Sequence, residues 1–286
     1  MELGEIRKRI SSIDKEMAEL FVKRMEAVKE VAEYKGERGL PVEDYEREMS
    51  LITDMSSKIE DEKIRMTYVR FLQNTMELSK QLQYRMLNGL RIACTGEEGT
   101  AGHHAATMRF SDENLCSFSS FEKAYRAAET GECDLAVLPM ENSYDGEIGQ
   151  VYDLIFSGSL FVNDVFAVEY NGSTTRYAVL SRIENDFSSK SKKKGEAFLV
   201  MFTVKDEIGG LAKAVNIISA YGFNMRVMRS RPMKDLPWSY YIYAELIGDC
   251  SRESAKRISR ALESSCPTVK IVGHFVENPK DFATSA

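Results

Sequence analysis

Arg24, Lys35, Asp44, Arg47, Glu48, Ser79 and Gln83 stand in or beside the apolar seams of three successive helical patterns. In the first pattern Ile6, Ile10, Ile13, Met17 and Leu20 recur at alternating spacings of four and three, and the next seam position is Arg24. Ala27 and Val31 resume the seam, which ends at Tyr34 and Lys35. In the last pattern Leu72, Met76, Ser79, Gln83, Met86 and Leu90 keep the same step, so Ser79 and Gln83 share a face. Between them Asp44, Glu48, Leu51 and Met55 line one face of a shorter helix, with Arg47 beside them. A guanidinium or a pair of carboxylates in an apolar seam is costly unless partnered. A single Arg of this kind reads as a snorkelling side chain, and a single Ser–Gln pair as a satisfied interhelical hydrogen bond. Cations, acids and an amide from three helices converging on one small bundle predict a polar pocket inside it.

The elements that position these residues follow from the breaks. The first helix is expected over Gly4 to Lys35, stopped by Gly36, Gly39 and Pro41. Pro41 would start the second helix, with Glu43 and Asp44 in its first turn. Ser56 and Ser57 mark the next break, and Glu60, Asp61 and Glu62 lead into a third helix running to Asn88. One long helix covered by two unequal ones leaves an apolar stripe, which predicts a homodimer or higher homo-oligomer.

The chain has 286 residues and a net charge of −6, which argues against binding of nucleic acid or an anionic membrane. No stretch reaches the length of a membrane span, and the start MELGEIRKRI lacks the apolar core of a secretory signal. Five scattered cysteines without a C-x-x-C pair suit free thiols in a reducing cytoplasm. The three histidines make no metal-ligand pattern, so neither metal nor cofactor is expected.

Residues 1–88 resemble the all-helical chorismate mutases. The carriers are I-R-x-x-I-x-x-I-D with Arg7, L-F-x-x-R with Arg24, Lys35, P-V-x-D-x-x-R-E with Asp44, Arg47 and Glu48, and E-x-S-x-x-x-Q with Ser79 and Gln83. The resemblance implies conversion of chorismate to prephenate, a step in phenylalanine biosynthesis, with these eight residues catalytic. It implies that Arg7, from the partner subunit, and Arg24 take the carboxylates. Lys35 and Gln83 would donate to the ether oxygen and Glu48 would hold the ring hydroxyl. Asp44 and Arg47 would order the site, and Ser79 would support a carboxylate.

Residues 89–183 change period and read as a small α/β unit of βαβ type. Strands are expected at Leu90 to Cys94 and Asp134 to Pro139, with helices near His103 to Phe110 and from Ser119 or Ser120 to Ala128. Leu160 to Tyr170 and Tyr177 to Leu180 look extended. T-G-E-E-G-T-A-G-H-H-A-A at 95–106, L-P-M-E-N-S at 138–143, D-L-I at 153–155 and T-T-R-Y at 174–177 resemble prephenate dehydratase. That family has a periplasmic-binding-protein-like fold of two lobes, with Glu141, Asn142, Ser143, Thr175 and Arg176 lining the cleft by this resemblance. Here only Asn171 to Thr174 stand where the family inserts its second lobe, so a single lobe with vestigial site residues and little dehydratase activity is expected. Asn142 and Ser143 would then terminate a strand and Thr175 would sit in one.

Residues 184–196, polar and lysine-rich at Lys190 and Lys192 to Lys194, read as a solvated linker. Residues 197–286 alternate strand, helix, strand, strand, helix, strand, which is ferredoxin-like, with a hairpin expected around Leu236-Pro237-Trp238. They resemble the ACT regulatory domain, which implies phenylalanine as effector, bound near Gly209, Gly210, Leu211, Arg229, Ser230, Arg231 and Pro232. I-G-G-L stands where that family has P-G-A-L, and R-S-R-P where it has E-S-R-P. The expected whole is a multidomain α plus α/β plus α+β chain, a chorismate mutase regulated through its ACT part. Two alternatives are a bifunctional mutase–dehydratase producing phenylpyruvate, and a C-terminal two thirds acting only as amino-acid sensor and assembly module.

Overall fold

The computed structural model describes residues 3–111, 113–184, 196–233, 236 and 238–276. It divides into two compact units, Met1–Gly89 and Leu90–Ala286.

The first unit holds α1 (Leu3–Arg38), α2 (Tyr45–Ser57) and α3 (Glu62–Asn88). α1 does not stop at Gly36. A Cβ there would sit 2.6 Å from Leu87 Cδ2, so Gly36 serves close approach of α1 to α3 inside the helix. The break comes at Gly39, whose φ is +62°. Pro41 does not start α2 either. Asp44 is its N-cap, with Oδ1 accepting the Arg47 N–H at 3.1 Å, so the acids of the first turn are Glu46 and Glu48. Asp61 caps α3 in the same way on Ile64, at 3.0 Å. Only Ala32, Val42, Thr75, Met76, Ser79 and Gln83 are buried in the described part of this unit. The seam residues Ile10, Ile13, Met17 and Leu20 lie 45–65% exposed, so the apolar stripe faces outward from its own chain.

The second unit holds β1 (Arg91–Thr95), α4 (Ala101–Arg109), β2 (Asn114–Phe118), α5 (Phe121–Thr130), β3 (Leu135–Asn142), β4 (Gly146–Glu147), α6 (Gly149–Ser157), β5 (Phe161–Tyr170) and β6 (Ser173–Ser181). It continues with β7 (Glu196–Thr203), α7 (Gly210–Ala220), β8 (Asn224–Pro232), β9 (Tyr240–Ile247), α8 (Arg252–Glu263) and β10 (Val269–Val276). Among the described residues one sheet runs β2-β1-β3-β6-β5-β10-β7-β9-β8, with β4 beside β3. β2, β1 and β3 are parallel and joined by α4 and α5, the expected βαβ arrangement, although the sequence reading did not foresee β2 or β4. Thr100 and Ser120 cap α4 and α5, and Gly131, at φ +90°, ends α5.

β5 and β6 form a hairpin in which Tyr170 pairs with Ser173 across Asn171-Gly172, both at positive φ. Asn-Gly is the pair that a tight two-residue turn favours. β6 then returns antiparallel to β3, from Ala136 against Leu180 to Asn142 against Thr175.

β7 to β10 take the order β10-β7-β9-β8, with α7 and α8 on one face. Phe198, Val200, Phe202, Ile242, Ala244 and Leu246 pack there against Ala214, Ile218, Ile258 and Leu262. Leu199, Met201, Tyr241 and Tyr243 alternate to the other face and pack with Val151, Tyr152 and Ile155 of α6. β7 to β10 thus share one compact unit and one sheet with β1 to β6. Gly273 of β10 pairs with Val162 of β5, where a Cβ would lie 1.9 Å from Val162 O. Residues 185–195 of the expected linker, with Lys190 and Lys192 to Lys194, lie outside the described residues, as does Pro237 of the expected hairpin; Glu196 already belongs to β7. Among the described residues no helix is long and apolar enough to cross a membrane.

Candidate functional site

Three of the polar seam residues of the first unit, Arg24, Ser79 and Gln83, meet one another. Arg24 donates from Nη1 to Ser79 Oγ, and Ser79 donates to Thr75 O at 2.6 Å. Burial lowers the pKa of the Arg24 guanidinium without a carboxylate beside it to restore it. Gln83 donates weakly to Ser79 O at 3.3 Å, and its buried Oε1 has no partner among the described residues. Lys35 Nζ donates to Val42 O at 2.7 Å where the chain turns toward α2. Glu48 of α2 faces Lys80 of α3, with Nζ to Oε2 at 3.4 Å. Arg24 and Gln83 thus meet at Ser79, while the contacts of Lys35 and Glu48 are with Val42 O and Lys80. Beside Arg24 opens a largely apolar groove of about 930 Å³, lined by Leu20, Phe21, Phe71 and Leu72 among others.

Three expected members stand apart. Asp44 and Arg47 are exposed, and their shown bond is the helix cap. Arg7 is exposed and 17 residues before Arg24 on one helix, about 25 Å along its axis. Sequence reasoning missed Glu43, Lys80 and Tyr84. Tyr84 donates its hydroxyl to Glu43, which holds that carboxyl below the usual carboxylate range despite some burial. For Lys80 the sequence offered only its place next to Ser79; the contact with Glu48 comes from the fold.

In the second unit the residues of the expected vestigial site bond to one another. Asn142 Nδ2 donates to Thr175 Oγ1 at 2.8 Å, and its Oδ1 accepts from the N–H groups of Tyr144 and Asp145. Ser143 Oγ accepts from Thr174 N at 3.0 Å. Arg176, 7% exposed, donates from Nη1 to Glu141 at 3.0 Å and from Nη2 to both Glu245 oxygens at 3.0 and 3.2 Å. Glu245 is fully buried on β9 and also accepts from Arg226. Glu245 was missed. Its signal was an acid in the apolar run Tyr240 to Ile247, on the same face as Tyr241 and Tyr243.

The expected effector residues divide. Gly209 precedes α7 at φ +79°, and Gly210 approaches Lys205 O so closely that a Cβ would lie 2.4 Å away. Leu211, Arg229, Ser230 and Pro232 are exposed. Arg231 is not free for a ligand. It donates to both Asp153 oxygens at 3.0 and 3.2 Å and to Glu147 at 3.0 Å, and these acids raise its pKa despite partial burial. Tyr241 and Tyr243 donate to the same two acids, at 2.8 and 2.7 Å.

Residues 6–84 match the family described as chorismate mutase type II, and residues 92–171 match prephenate dehydratase. The bifunctional chorismate mutase/prephenate dehydratase of Buchnera aphidicola subsp. Schizaphis graminum is 30% identical over 177 residues, covering 56% of this chain and 46% of that protein. The chain thus spans under half the length of that relative. The protein of the same name from Enterobacter agglomerans is 22% identical and aligned over 94% of each chain. That alignment runs to 367 positions, longer than the 286 residues here, so the relative carries segments this chain lacks. Among solved structures, prephenate dehydratase from Streptococcus mutans superposes with a TM-score of 0.57 at 21% identity, covering 66% of this chain and 98% of that one. Prephenate dehydratase from Arthrobacter aurescens, solved in complex with L-Phe, gives 0.54 at 15% identity, covering 65% and 90%. At such identities the likeness shows the fold alone. By the two sequence matches, the chain joins a type II chorismate mutase segment to a prephenate dehydratase segment.

Proposed function

We propose that the helical unit converts chorismate to prephenate. The observation that carries this is the meeting of Arg24 and Gln83 at Ser79, within a segment that matches chorismate mutase. The rearrangement is intramolecular and pericyclic, so it needs no nucleophile and no proton transfer. Catalysis then consists of holding the reactive conformer and stabilising charge on the breaking ether oxygen. Arg24 takes a substrate carboxylate with its fork, supported by Ser79. Lys35 and Gln83 turn their donors to the ether oxygen, and Glu48 accepts from the ring hydroxyl. A second copy of the chain covers the groove beside Arg24 and brings its Arg7 to the second carboxylate. Support comes from the outward-facing stripe on α1 and from the axial separation of Arg7 and Arg24. Incubating purified protein with chorismate and identifying prephenate tests the reading; unchanged chorismate overturns it.

For the second unit the relatives' shared name supports the bifunctional reading, and supports it better than the loss of dehydratase activity expected from sequence. Two observations favour the loss: the two-residue turn at Asn171-Gly172, and the enclosure of Arg176 by Glu141 and Glu245. Supplying prephenate separates the two. Turnover near about one per second, ordinary for a working enzyme, establishes the bifunctional reading, and none above a no-enzyme control establishes the loss. We read β7 to β10 as a ferredoxin-like ACT part that takes phenylalanine near Gly209 to Leu211, the L-Phe complex of the Arthrobacter protein being the support. Calorimetry with phenylalanine checks it. Five free cysteines, all in the second unit, support a cytoplasmic setting.

A further inference from the structure

Lys80 follows Ser79 on α3 and reaches two carboxylates. Its Nζ lies 3.4 Å from Glu48 Oε2 on α2 and 3.4 Å from Glu77 Oε2 one turn back on α3. The Lys80 and Glu48 side chains are 19% and 24% exposed, whereas Glu77 is 53% exposed. Glu77 therefore steadies the ammonium from the solvent side, and Glu48 receives it from across the helix pair. α2 buries no residue of its own, so little apolar packing sets where Glu48 points. In such a helix one cross-helix contact has unusual influence over a side chain at the pocket. Burial lowers the Lys80 pKa, and Glu48 and Glu77 together outweigh it, so the ammonium is more firmly charged than an ordinary lysine.

We propose that Lys80 is a positioning residue for the mutase reaction, holding the Glu48 carboxylate where it meets the substrate's ring hydroxyl. The inference rests on the mutase reading. Lys80 does not itself touch substrate, because its charge is shared between two protein carboxylates. A small misplacement of a group that contacts substrate is costly in rate even where the ion pair contributes little to stability.

The test uses the full chain and the disappearance of chorismate. Lys80→Met should lower kcat/KM about tenfold, and Lys80→Arg, which keeps the charge, should restore most of it. Lys80→Gln gives a second charge-free variant should the Met variant fold poorly, judged by far-ultraviolet circular dichroism. The decisive arm is Lys80→Met in a Glu48→Gln background. If Lys80 acts through Glu48, the second substitution costs less than about twofold there. Equal losses in both backgrounds would mean Lys80 meets substrate on its own and overturn the proposal. An unchanged kcat/KM in a folded Lys80→Met or Lys80→Gln protein would also overturn it. Wild-type protein that leaves chorismate unchanged removes the mutase reading and this inference together, whereas active wild type with an indifferent Lys80 removes this inference alone.

Discussion

The helical unit and the sheet unit solve opposite problems. The former buries six described residues, and Thr75, Ser79 and Gln83 are polar. The latter fully buries Tyr125, Tyr152, Tyr241, Tyr243, Phe198, Phe202 and Phe275, and covers β7 on both faces. A core of this kind supports a fold by itself. The scarce interior of the helical unit is half polar, and its apolar stripe on α1 is the face that the proposed second copy would cover. On the dimeric reading proposed above, a second copy supplies the apolar burial that the helical unit lacks. The strongest way to break this comparison is Leu20→Glu. It puts a charge in the groove beside Arg24, and we expect mutase activity and dimer to vanish together while the sheet unit keeps its cooperative melt. Sedimentation and activity measured on one sample decide it; a fully active monomer would end the idea that the helical unit depends on a partner.

Next in size are changes inside the polar interior. Lys35→Ala and Gln83→Ala each remove a donor that the proposed mechanism directs to the ether oxygen, and should lower turnover by about 10²–10³. Neither should change the sheet unit's melting, because their contacts are to Val42 O and Ser79 O. Wild-type-like rates in both variants would remove these two side chains from the site.

These residues were legible in sequence because polar groups in an apolar helical period have few alternatives. Arg24, Ser79 and Gln83 could be read from a 4-3 step alone. Lys80 could not, since its meaning depends on Glu48 of another helix. Helix ends were less legible: Gly36 looked like a stop, but its small size serves Leu87 of α3, while Gly39 ends the helix. The βαββαβ order of the last segment was readable from alternation. Its fusion to the preceding sheet was not, because β5 meets β10 through one pairing of Val162 with Gly273 that no local pattern announces. Arg231 shows the same limit. A motif placed it in a ligand site, and only the fold shows Asp153 of α6 and Glu147 of β4 holding it.

The sheet unit can be challenged at Arg176. Replacing it with Met leaves Glu245 buried against Arg226. Breaking a buried pair from one side costs about 3 kcal/mol or more, and Arg226 places this case at the lower end. Replacing Arg176 and Glu245 together with Met should cost less than the single change, since no buried carboxylate is left behind. Urea unfolding of both proteins checks it, and a harmless single change would show that Glu245 is served by Arg226 alone. Mutase rates should stay the same throughout.

The smallest contrast appears in alkali. Burial pushes Tyr125 up to about 12, against a hydrogen bond from Leu160 N–H, and pushes Tyr177 up to about 12, against its bond with Thr175. An unfolded tyrosine gives up its proton near pH ~10. Above that pH the native state holds protons the unfolded chain has lost, so stability is fully present below about 10 and falls as pH rises toward the folded value. Each such tyrosine contributes a slope of about 1.4 kcal/mol per pH unit. Lys270 works the other way: burial among the α6 carbonyls lowers its pKa, so native protein sheds that proton first and gains relative stability as pH rises. One lysine does not cancel two tyrosines, and Tyr152, Tyr241 and Tyr243 are also raised by burial. In the helical unit the raised group is Lys80, whose contribution is present below the ordinary lysine pKa of 10.5 and lost as pH passes its raised value. That pair is partly exposed and contributes little. Thermal unfolding from about pH 8 to about pH 11 should therefore weaken the sheet unit more steeply than the helical unit. A sheet-unit melting temperature that stays level across that range would mean these tyrosines ionise in the folded state as freely as in the unfolded chain.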